Sequence, residues 1–212
     1  MNLEEYWACI MEKYFSIKAL YIECEETDPG LKTNLQPLNE FRASLDHVMK
    51  MMWSYYVDKD NDEVQKQCEK LLSHLNRCFY DISDMLSINY RNKIITCLSR
   101  YDVEAISTAL PEYYSSMKPE IERISQRIST YRNEKGKKSC DNSEKIDSYS
   151  NDVRQLKNFF ILINNAQPVL DEIQNKMSKK ETEANKRNYL IGGIIGAVGS
   201  AIVAIILHFF GF

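Results

Sequence analysis

The side chains best suited to chemistry lie in NEFRASLDHV, Asn39 to Val48, where Arg42 is followed after four residues by His47. An imidazole exchanges protons near neutral pH, and a guanidinium offers a permanent charge with a planar fork of donors. Together they can move a proton and hold an anion, and they can equally decorate a helix. Glu40 precedes the pair and Asp46 adjoins His47, so the plain reading has Arg42 paired with Asp46 one turn on and His47 as a partly buried polar residue. A second stretch, HLNRCFYD, sets His74, Arg77, Tyr80 and Asp81 within about two helical turns.

Other chemistries find less support. DKDNDEVQKQCE, Asp58 to Glu69, places carboxylates at four positions of a calcium loop, but Glu63 stands where the loop needs a glycine, and Gln65 stands where an apolar residue should pack. A solvated loop with an aspartate capping the next helix fits better. The six cysteines and three histidines show no close ligand spacing, so no metal site is expected. The thiols read as reduced core residues, no cofactor is implied, and a net charge of −3 argues against nucleic-acid binding by the whole surface. RNEKGKK, Arg132 to Lys138, is a local basic run read as a solvated loop.

The elements that must position these residues are helical, because no segment alternates with period two and several repeat at three and four. Leu3, Trp7, Ile10, Tyr14, Ile17 and Tyr21 mark one face of a first helix ending before Asp28-Pro29-Gly30. Thr33-x-x-Gln36 and Pro37 open a second, carrying Arg42 and His47 to about Val57. A third covers about Asp62 to Arg100, with Val64, Cys68, Leu71, Leu75, Cys78, Ile82 and Leu86 inward and a possible break at Ser87 to Asn89. Shorter helices are entered at Pro111 and Pro119, the latter burying Ile121, Ile124, Ile128 and Tyr131.

Beyond a loop at 136–143, Tyr149, Leu156, Ile163, Leu170 and Met177 fall seven apart, partnered by Ile146, Val153 and Phe160. They form a coiled-coil-like seam over a stalk at 144–188, which Pro168 should kink and Gln167 and Gln174 should weaken. The last 24 residues, 189–212, carry no Asp, Glu, Lys or Arg and as a helix would rise about 36 Å, which predicts a transmembrane tail anchor. Lysines and arginine just before it place the N-terminal part in the cytoplasm and the chain in the inner membrane. Small residues at Gly192, Gly196, Ser200 and Ala204, with Gly193, Ala197 and Ala201 beside them, suggest oligomer packing in that membrane.

EFRASLDH and the following HLNRCFYD resemble the HEPN superfamily of small helical bundles, with residues 1–135 as the bundle. The resemblance implies metal-independent RNA cleavage at a composite dimer site, His47 acting as general acid or base and Arg42 holding the phosphate, supported by Glu40, Asp46, His74, Arg77, Tyr80 and Asp81. Ala43 departs from the polar residue that commonly follows the arginine in active members, and many members are non-catalytic interaction modules. With the tail, the chain also looks like the membrane-anchored accessory proteins of type VI CRISPR loci. The expectation is therefore an all-α, tail-anchored, oligomeric antiviral protein that disrupts membranes or forms a pore, beside RNA or an RNA-guided effector protein. The alternatives are a membrane-tethered HEPN ribonuclease and a non-catalytic adaptor.

Overall fold

A computed structural model describes residues 3–28, 30, 35–134 and 143–210, the side chains of 133, 134, 143, 144, 197, 198 and 200–210 excepted. Every regular element among the described residues is helical: α1 (Leu3–Thr27), α2 (Leu35–Trp53), α3 (Asn61–Leu98), α4 (Val103–Ala109), α5 (Lys118–Glu134) and α6 (Ser143–Phe210). The proposed cap Thr33, residues 136–142 of the loop with Cys140, and Lys135 to Lys138 of the basic run lie outside the described residues.

α3 is the central post, packed by α1, α2 and α6. All seven of its expected inward residues, from Val64 to Leu86, are buried. The break expected at Ser87 to Asn89 does not occur, because both polar side chains are satisfied without leaving the helix. Ser87 Oγ donates to the Ser83 carbonyl at 2.7 Å, and Asn89 Nδ2 donates to Thr27 Oγ1 at 3.3 Å and the Cys24 carbonyl at 3.4 Å, tying α3 to the end of α1. α2 stops sooner than Val57: it passes into a π-helical turn, Ser54–Asp58, closed by Lys59 in the left-handed region at φ 58°. Asp60 then caps α3, its carboxylate accepting from the Asp62 and Glu63 amides at 3.1 Å each, so the aspartate run serves as a helix cap. The helix expected at Pro111 is only a short π segment, Tyr113–Met117, leading into α5.

The heptad seam of α6 packs on the bundle. Tyr149, Leu156, Ile163 and Leu170 are fully buried, and Tyr149 sits among Phe79, Tyr80 and Tyr131 at centroid separations of 6.2, 6.0 and 4.9 Å. α6 continues through Pro168. Its two glutamines hold rather than weaken: Gln167 Nε2 lies 2.7 Å from Cys97 Sγ, and Gln174 bonds the amide and carboxylate of Asp102 at 3.0 and 2.6 Å. Two apolar clusters result. The larger joins α1, α2, α3, α5 and the start of α6, and the smaller joins the end of α3, α4, Met117 and the middle of α6.

The expected transmembrane tail is overturned: among the described residues no helix is long and apolar enough to cross a membrane. A Cβ placed on Gly192, Gly193 or Gly196 would meet nothing within 4 Å. The single-pass inner-membrane location and the orientation read from flanking charge fall with the span. Ala197, Ser200, Ala201 and Ala204, offered for oligomer packing, lie outside the described side chains.

Candidate functional site

α2 and α3 pack along their lengths and bring together four of the residues singled out by type: Glu40, His47, His74 and Arg77. Glu40 is the hub. Its Oε2 lies 2.7 Å from His74 Nδ1 and 3.1 Å from Arg77 Nε, and its side chain is 14% exposed. Burial alone would raise its pKa, but the hydrogen bonds from His74 and Arg77 and the guanidinium charge outweigh that, holding the carboxyl below its ordinary value. Arg77 Nη2 also approaches His74 Nδ1 at 2.7 Å. That contact is a hydrogen bond only when Nδ1 is bare. With an ionised carboxylate beside it, Nδ1 keeps its proton and donates to Glu40.

His47 stacks on His74, ring centroids 5.1 Å apart and planes 28° apart. Its Nδ1 lies 2.6 Å from Gln67 Oε1, while Gln67 Nε2 donates to Glu63 Oε1 at 2.5 Å. The second contact fixes the amide, because a carboxylate can only accept; the amide oxygen therefore faces His47 and selects its Nδ1–H form. Each histidine is thus oriented through Nδ1, leaving Nε2 without a partner among the described residues. Gln67 was not foreseen. Its signal was an amide within the buried stripe of α3, where a polar group needs a partner.

Arg42 does not join this cluster. Five residues along a helix turn by about 140°, so Arg42 and His47 leave α2 in different directions. Arg42 instead lines a groove of about 810 Å³ between α1 and α2, with Met11, Phe15, Leu38 and Leu45. Asp46 does not pair with Arg42 either; it takes Lys50 at 2.6 Å, in an exposed pair whose hydrogen bond lowers the carboxyl pKa. Tyr80 is a core residue, 6% exposed. Asp81 stands half-buried one turn beyond Arg77.

The groove is the other feature that helical spacing could have flagged. Leu38, Leu45 and Met49 on α2, and Met11, Phe15 and Ile22 on α1, recur at fours and sevens yet remain 45, 60, 63, 51, 59 and 47% exposed. Each helix therefore carries a second apolar face beside the one that meets α3. The thiols offer no nucleophile here: burial above all pushes Cys78 up to about 12 and Cys24 up to about 11. Among the described residues no group of three or more potential ligands could hold a metal ion.

A helical bundle carrying an oriented histidine, carboxylate and arginine cluster on one face and an apolar groove on another is the class that fold and site define. No protein-family model, curated protein or solved structure matches the chain.

Proposed function

We propose that this chain is a HEPN-like helical binding module, an adaptor that docks a partner in the α1–α2 groove and has no catalytic activity of its own. The observation that carries this reading is the groove: a large concave apolar surface that the described residues build and do not fill. Two further features support it. Arg42, the residue a phosphodiester reaction would need beside His47, faces the groove instead, and the acidic balance of the chain disfavours a nucleic-acid surface.

Metal-independent ribonuclease activity is the second reading, favoured by the stacked His47 and His74 with both Nε2 atoms open. Such a pair could serve as base and acid, with Arg77 beside them for phosphate. Two measurements decide. Single-stranded RNA incubated with the purified chain and a chelator stays intact on the binding reading; cleavage abolished by both His47→Ala and His74→Ala would establish the second. A photocrosslinking side chain at Leu45 should trap a partner in cells, whereas one at Ile95, exposed elsewhere on the bundle, should not; equal trapping at both sites would sink the binding reading.

A further inference from the structure

The groove has a charge as well as a shape. Of the sixteen residues that line it, two are cations, Lys18 and Arg42, and none is a carboxylate. The chain as a whole is acidic, at −3. Lys18 and Arg42 form no ion pair or hydrogen bond among the described residues, whereas Glu40, Glu63, Asp46, Asp84, Glu120 and Asp152 each have a basic or amide partner. The groove therefore sets two cations without an ion-pair partner among the described residues beside apolar walls. Tyr21, which also lines the groove, adds a polar demand: its Oη is shielded from solvent and lacks a hydrogen-bond partner of normal geometry, while burial first, and then the Glu25 carboxylate, push it up to about 12.

Resting on the binding-module reading, we infer that the occupant is an acidic amphipathic α-helix of another protein, laying leucine-like anchors along the groove and setting carboxylates against Lys18 and Arg42. The shape argues for a helix. Two neighbouring helices with exposed apolar residues at fours and sevens form the trough that a third helix fills, each row of side chains taking anchors at the same spacing. The charge argues against a second copy, since a self-complementary pairing of this face offers no carboxylate to either cation. An acidic helix gains where a neutral or basic one must leave both cations in an apolar trough without a counter-charge.

The test uses the full chain and two labelled 18-residue helical peptides with identical leucine anchors, one flanked by glutamates and one by lysines, followed by fluorescence anisotropy at low salt. The glutamate peptide should bind about tenfold more tightly than the lysine peptide. The double variant Lys18→Glu plus Arg42→Glu, both exposed positions, should reverse that order while leaving the melting temperature unchanged. Equal binding of the two peptides would overturn the acidic assignment and leave the binding module standing. Binding of neither peptide would overturn both. Sedimentation of the chain as a dimer that Leu45→Glu dissociates would overturn the proposal by giving the groove to a second copy.

Discussion

Glu40 is where sequence and structure meet most closely. It was legible as a support for the histidine motif, and it does bind His74 and Arg77, but the reason lies in the packing of α2 on α3 rather than in the spacing within either helix. The Arg42 and His47 pair shows the converse: their spacing along the chain suggested partnership, while the helical rotation between them sends one to the groove and the other to the cluster. Because the folded Glu40 carboxyl titrates below its ordinary value, its ionised form contributes stability that is complete above that value and is lost as pH falls through the folded one. Thermal melts between about pH 5 and pH 3 should therefore decline less steeply for Glu40→Gln than for the native chain, although Arg77, 46% exposed, adds only a screened share. At neutral pH the same substitution should cost about 1 to 2 kcal/mol, read by urea unfolding.

At the scale of elements, hydrophobic period read well and polar satisfaction read poorly. The inward row of α3 and the seam of α6 are buried as the spacing required, and Leu156, which has no exposed surface, should cost about 2 to 4 kcal/mol on replacement by alanine. What period could not tell was whether the seam would meet copies of itself or the bundle, since both bury the same stripe. Nor could it show that Ser87, Asn89, Gln167 and Gln174 would find partners across helices and keep α3 and α6 unbroken. Arg127 is a comparable cross-helix tie, gripping Asp152 of α6 at 2.7 Å and Glu120 at 3.0 Å; the hydrogen bonds it donates to Asp152, above all, raise the arginine pKa. Arg127→Ala leaves Asp152, 5% exposed, without its counter-charge and should destabilise by about 1 to 2 kcal/mol, less than for a fully buried pair because Arg127 is 41% exposed, measured by the same unfolding titration. The groove residues differ: Leu45→Ala should shift stability by no more than about 0.5 kcal/mol, since its side chain fills no core space.

For the molecule as a whole, composition and period identified an all-helical chain, and the tail is where that reading overreached. An uncharged run of 24 residues counts as a span by length, yet among the described residues no helix is long and apolar enough to cross a membrane. The groove escaped notice because only one apolar face, Leu3 to Tyr21, was read on α1 and none on α2, whereas each helix carries exposed apolar residues beside its buried ones. The division of the interior into two apolar clusters carries a kinetic consequence. The larger cluster draws on five helices, whereas the smaller gathers short α4 and two neighbouring segments around the lower half of α3 and α6. Hydrogen exchange should register this as two cooperative units: amides of 103–109 should trade deuterium through a partial opening that leaves 64–86 protected, and Ile106→Ala should quicken only the former. Since α6 threads both clusters, Leu170→Ala should lower the free energy of that partial opening, whereas Leu156→Ala should act on global unfolding alone.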